Sequence, residues 1–131
     1  MNSNILIKIN NIIKNRLIEL FGIFAILGSI FLLASIISYS PSDPNFIYNP
    51  ENTEIKNIGG FYGSVISDFL LQSIGLISFF IIVNFFTWGT KLTTKKKIHN
   101  FIIKIFFTLI YIILGTIVLN LVYSPLTLSM I

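Results

Sequence analysis

Three long apolar runs, separated by short polar breaks, set the pattern of this chain. At 1.5 Å per helical residue, about 20 residues cross the roughly 30 Å hydrocarbon layer of a bilayer. The runs at 17–37, 65–88 and 101–122 each meet that length with few charges inside, so the pattern predicts an all-α integral membrane protein with three transmembrane helices. The remainder is residues 1–16, 38–64, 89–100 and 123–131, which leaves no room for a separate soluble core.

Residues 1–16 carry Ile5, Ile9, Ile12 and Ile13 at helical spacing, with Lys8 and Lys14 on the wetter side. That spacing suits either a short helix lying on the headgroups or a loose basic tail. The first apolar run is too long for a signal-peptide core and contains Glu19, so it reads as a retained anchor. Arg16 and Glu19, three apart, are able to pair on one face. Gly22, Ala25, Gly28 and Ser29 form a small-residue strip that permits close helix approach, within the chain in preference to a dimer seam.

After Tyr39 the chemistry changes. Pro41 and Pro44 disfavour helix in the residues before them, and Ser42 and Asp43 compete for backbone bonds, which predicts a stiff, turned exit beginning at Ser40. Phe46, Ile47 and Tyr48 suit the membrane interface. Asn49 and Pro50 make a further turn in a loop with little drive to fold alone. Asn57, Gly59, Gly60 and Gly63 then lead into the second run, where Gly60 with Ser64 and Gly63 with Ser67 are paired small positions for backbone-close packing.

Asp68 and Gln72 share a face of that helix, and Gly75 follows. A carboxylate at midplane costs about 2.5–3.5 kcal/mol on insertion scales, so Asp68 is expected to lie shallow, near the helix N-terminus where the dipole favours an anion. A capping or interhelical hydrogen-bond role is preferred to an ion site, for which only Gln72 and Asn84 are at hand. Trp88 closes the second run as an interfacial anchor. Lys91, Lys95, Lys96 and Lys97 follow, a headgroup and topology signal in preference to a nucleic-acid patch. His99 stands alone, so no metal site is expected. Gly115, Thr116 and Asn120 are the packing or polar features of the third run, which is expected to end at Tyr123, Ser124 and Pro125.

Composition adds limits. Of the 131 residues, 54% are hydrophobic and 11% charged, with no cysteine and a net charge of +4; the mean hydropathy is +0.86. Disulfides and thiolate metal sites are thereby excluded. No phosphate loop, zinc-helix motif or nucleophile elbow is present, so neither catalysis nor a cofactor is expected of this chain alone. Lys8, Lys14, Arg16, Lys91, Lys95, Lys96, Lys97 and Lys104 flank one set of span ends and Lys56 the other, a bias of eight to one. It predicts a cytoplasmic N-terminus, an external 38–64 loop and an external C-terminus.

The order Tyr39-Ser40-Pro41-Ser42-Asp43-Pro44 with Phe46, then Asn57, Gly59, Gly60, Gly63, Asp68, Gln72 and Gly75, then Trp88 with Gly89, resembles the N-terminal membrane domain of the FtsK/SpoIIIE family of bacterial DNA translocases. The resemblance implies a four-span region that anchors a hexameric, ATP-driven DNA motor in the inner membrane at the division septum. It also implies homo-oligomers and contacts with other divisome proteins, with roles in cell division and chromosome segregation. Of these, Tyr39, Ser40, Pro41, Asp43, Pro44, Phe46, Asn57, Gly59, Gly60, Gly63, Asp68, Gln72 and Gly75 would be the partner or packing candidates. Three spans with no motor following departs from that layout and is expected of a truncated or split chain, whose motor is missing or separately encoded. A holin-like pore or transport protein using Asp68, Gln72 or Asn84, and a nonfunctional remnant, are the alternatives. No direct nucleic-acid binding is expected.

Overall fold

The computed structural model describes the backbone of residues 3–48, 54–94 and 100–128, and side chains within 5–48, 54–94 and 100–122. Its helices are α1 (Ser3–Ile37), α2 (Gly60–Ile74), α3 (Ser78–Thr93) and α4 (Phe101–Leu128), with α2 and α3 joined by a 3₁₀ turn at Gly75–Ile77. No strand forms among the described residues. Ile5–Ile37, Gly60–Thr93 and Phe101–Val122 are each long and apolar enough to cross a membrane. The chain is all-α, with three such helices.

In three places the backbone departs from the pattern reading. Residues 3–16 are neither a separate surface helix nor a tail: no Gly or Pro lies between Ser3 and Phe21, so α1 runs unbroken for 35 residues. That is about 52 Å, so its lysine-bearing first turns reach past the hydrocarbon. The second apolar run is not one continuous helix either. Gly75, at φ 59°, ends α2 while its amide bonds the Leu71 carbonyl, and the Ser78 amide bonds Gly75 and Leu76 as α3 begins. Hydrophobic periodicity cannot register such a break, because both halves stay apolar. Finally, α4 runs through Pro125 to Leu128 instead of stopping at Tyr123–Pro125. Proline's fixed φ of about −65° is itself helical, and it removes a single bond, the one to the Leu121 carbonyl.

The helix α1 packs antiparallel to the α2–α3 unit. At one end a Cβ added to Gly22 would lie 2.6 Å from Thr93 Oγ1 and 2.9 Å from the Gly89 carbonyl, and one added to Gly89 would lie 2.8 Å from the Gly22 carbonyl. At the other end a Cβ on Gly59 would lie 2.6 Å from Ser35 Oγ. The strip on α1 is thus divided: Gly22 and Ser29 are buried within the chain, whereas Gly28 faces open space.

Burial is inverted relative to a soluble protein. Among the described residues Ser29, Ser35, Ser64, Ser67, Ser78, Asp43 and Asn57 are buried, and of the large apolar side chains only Ile36, Val65, Ile77 and Ile82, while phenylalanines and other isoleucines cover the outside. Lipid removes the incentive to bury large apolar groups, so close packing and hydrogen bonds hold the helices. Most of the buried serines return their hydroxyl to a carbonyl one turn back, as Ser35 does to Phe31 at 2.8 Å and Ser29 to Ile26 at 2.7 Å, which hides the donor. The last helix is attached sparingly: Gly115 sits against Ile77, Tyr111 meets Phe80 and Asn84, and Phe101 stacks edge-on with Trp88 at 5.3 Å. No residue in the most apolar stretch of α4 is buried.

Candidate functional site

The loop between α1 and α2 is closed by a polar clasp assembled from three segments. Helix α1 ends in a turn, with the Ser38 amide on the Ala34 carbonyl at 3.0 Å and the Tyr39 amide on Ile36 at 3.3 Å. The Pro41–Pro44 segment then folds back. Asp43 is 3% exposed, and its two carboxylate oxygens accept the amides of Lys56 at 3.1 Å and Asn57 at 2.8 Å. The Ser64 hydroxyl donates to the Pro44 carbonyl at 2.7 Å and so ties this segment to the first turns of α2.

Asn57 is the centre of the clasp. Its Nδ2 donates to the Ser35 carbonyl at 2.8 Å and to Ser67 Oγ at 3.3 Å, and its Oδ1 accepts the Gly59 amide at 2.9 Å. Gly63 leaves room for it: a Cβ there would meet Asn57 Oδ1 and, at 2.8 Å, Ser35 Oγ, while one on Gly59 would meet Ser35 Oγ and the Gly63 Cα. Gly60 takes φ 63° and its amide bonds the Asn57 carbonyl at 2.9 Å, turning the chain into α2. Ser38 Oγ accepts the Ile58 amide at 2.9 Å from the other side.

A second contact lies beside the clasp. Tyr39 OH donates to Asp68 Oδ1 at 2.9 Å, and Gln72 Nε2 donates to the same oxygen at 2.8 Å. Because α2 starts at Gly60, Asp68 sits more than two turns in, beyond the first turn where the helix dipole acts. These two donors, rather than the helix terminus, compensate its charge. The Tyr39 phenol is pushed above its ordinary pKa of 10.0, first by burial and then by the hydrogen bond and the charge of Asp68.

The structure therefore brings Tyr39, Asp43, Pro44, Asn57, Gly59, Gly60, Gly63, Asp68 and Gln72 together. The Ser40 hydroxyl pairs with that of Ser42 at 2.8 Å, and its carbonyl accepts the Asp43 amide at 3.1 Å; Pro41 and Phe46 are exposed; Gly75 lies apart, at the α2–α3 break. Lys91 lies in the last turn of α3, while Lys95, Lys96, Lys97 and His99 lie outside the described residues. Ser38, the first residue of the 38–64 loop, and Ser35, which the sequence does not single out, supply bonds to Ile58 and Asn57. A place three residues before Ser38, at the end of an apolar helix, was the only signal of Ser35.

Chemically the arrangement holds rather than reacts. Each oxygen of the Asp43 carboxylate accepts an amide, and the Asn57 side chain is engaged at both its nitrogen and its oxygen. Asn84, one of the polar groups a pore would use, donates to the Phe80 carbonyl at 2.8 Å and to Tyr111 OH. No group of three metal-ligating side chains occurs among the described residues.

Comparison with known proteins bears on the same region. A family model for the 4TM region of DNA translocase FtsK/SpoIIIE matches residues 14–129. The chain is 34% identical over 117 residues to the DNA translocase FtsK of Rickettsia typhi (strain ATCC VR-144 / Wilmington), covering 88% of this chain and 15% of that protein. It is 38% identical over 80 residues to the DNA translocase FtsK of Rickettsia bellii (strain RML369-C), covering 59% and 10%. With the DNA translocase FtsK of Vibrio vulnificus (strain CMCP6) it shares 31% identity over 86 residues, covering 64% and 9%. The chain thus spans no more than 15% of the length of these relatives. No solved structure matches. A family match across the three spans and the clasp between them means that the chain belongs to the FtsK/SpoIIIE family, as its 4TM membrane region.

Proposed function

We propose that this chain is the membrane anchor of an FtsK-like DNA translocase, holding or scaffolding the machinery at the division septum of the bacterial inner membrane. The observation that carries the proposal is the family match over residues 14–129, in a chain whose chemistry is that of a clasped helical hairpin rather than of a reactive site. ATP hydrolysis and DNA movement belong, on this reading, to a motor outside this sequence. The division of charge supports a cytoplasmic N-terminus: Lys8, Lys14, Arg16, Lys91 and Lys104 lie toward one end of the helices, and Lys56 toward the other. Self-association and contacts with divisome membrane proteins complete the proposal.

A fluorescent fusion at the N-terminus, followed in dividing cells, tests it. Concentration at midcell before constriction is expected, and uniform membrane fluorescence throughout the cycle would refute it. Orientation is tested separately by protease access in sealed inverted vesicles, in which an N-terminal tag is expected to be cut and a tag in the α1–α2 loop protected.

A further inference from the structure

The α1–α2 loop carries an apolar tip that stands exposed among the described residues. Ile47 is 98% exposed, Phe46 80% and Tyr48 54%. The tip is built rather than loose: Asn45 Oδ1 accepts the amides of Ile47 at 2.9 Å and Tyr48 at 2.7 Å, while the Asn45 amide bonds the Tyr48 carbonyl at 2.7 Å. This closed turn holds large apolar side chains outward, where water alone would disfavour them. Between Ser38 and Tyr48 the only charge is Asp43, and the clasp buries it with an amide on each oxygen.

The height of the tip above the bilayer is bounded by the same clasp. The bond from Ser64 to Pro44 fixes Pro44 level with the first turns of α2. Ile47 follows three residues later, so it lies at most about 11 Å away even if fully extended, and the Asn45 turn shortens that reach. Half the difference between the whole bilayer and its hydrocarbon gives a headgroup layer of about 5–8 Å on each side. With Pro44 level with Ser64, at the start of the second apolar run, the tip is within reach of that layer, where aromatic rings are favoured. Ile58 and Tyr62, 77% and 76% exposed on the segment entering α2, carry apolar surface from the loop toward the span.

We infer that Phe46, Ile47 and Tyr48 form a lipid-binding tip that inserts into the bilayer interface beside the α1–α2 hairpin, pinning its loop end. The inference rests on the membrane-spanning reading and not on the septal role. Because the chain has no cysteine, single nitroxide labels at Ile47→Cys and, as a control in the same loop, Glu54→Cys report on it in the full chain. The chain is reconstituted in phosphatidylcholine–phosphatidylglycerol vesicles. At position 47, collisions with oxygen are expected to exceed those with a water-soluble nickel complex, and the order is expected to reverse at 54. Equal access of the nickel complex to both positions would overturn the inference and leave the tip free for a protein partner. Ile47→Trp in a Trp88→Phe background gives a second readout: lipids brominated near the glycerol should quench its emission, and quenching by aqueous iodide alone would also overturn the inference. Neither readout involves cell division, so a failure here and a failure of midcell localisation remain distinguishable.

Discussion

Replacing Asn57 by alanine asks whether the loop is held by hydrogen bonds or by shape alone. The side chain is 4% exposed and serves three partners: the Ser35 carbonyl, Ser67 Oγ and the Gly59 amide. Ser67 keeps its own bond to the Ser64 carbonyl at 3.1 Å, so the loss falls on the other two. The Ser35 carbonyl, in the last turn of α1, has no helical replacement, because the Tyr39 amide is turned to Ile36. Leaving a buried polar group unsatisfied costs about 1–3 kcal/mol. Water can reach the half-buried Gly59 amide more readily, so the expected loss is about 3 kcal/mol, or roughly a hundredfold in the folded-to-unfolded ratio. Unfolding by sodium dodecyl sulfate in mixed micelles, followed by helical circular dichroism, measures it. Asn57→Asp keeps the size but turns a second acceptor toward the Ser35 carbonyl, so it should lose at least as much. An Asn57→Ala variant within about 0.5 kcal/mol of wild type, the range of an inconsequential surface change, would refute the reasoning.

The same assay separates glycines that matter for different reasons. Gly63→Ala would drive a Cβ into Asn57 and Ser35 and is expected to cost about 1–3 kcal/mol by overpacking. Gly75→Ala meets nothing within 4 Å but sits at φ 59°, so it should cost about 1–2 kcal/mol through backbone conformation alone. Gly22→Val, pressed against the Thr93 and Gly89 backbone, should destabilise markedly, whereas Gly28→Val, facing open space, should stay within about 0.5 kcal/mol; equal effects would contradict the divided strip. Tyr39 favours its neutral form in the fold. Its contribution is therefore fully present below the unfolded value of 10.0 and is lost as pH rises through the higher folded value. Tyrosinate difference spectra against Tyr39→Phe should show this late titration, and Asp68→Asn, which removes the charge but keeps an oxygen that can accept the phenol, should bring it closer to 10.0.

The all-α class and three spans were legible in the residue order, because a bilayer demands about 20 apolar residues per crossing and a helix that satisfies its own backbone. The turned exit at Pro41–Pro44 was legible for an equally local reason, since proline restricts its own backbone and that of its predecessor. The family resemblance was carried by residues of this same loop and the helix after it.

What spacing could not disclose was pairing. Asp43 with the Lys56 and Asn57 amides, Asn57 with Ser35, and Tyr39 with Asp68 join positions 13 to 29 apart in sequence. Such bonds exist only once the hairpin has closed. The break at Gly75 was hidden too, because an apolar run gives the same periodicity whether its helix is continuous or interrupted by a single left-handed glycine. Local chemistry determined that the chain crosses a membrane and where it must turn. Only the tertiary fold decided which polar groups would satisfy one another inside it, since a hydrogen bond depends on the distance between two groups and not on their separation along the chain.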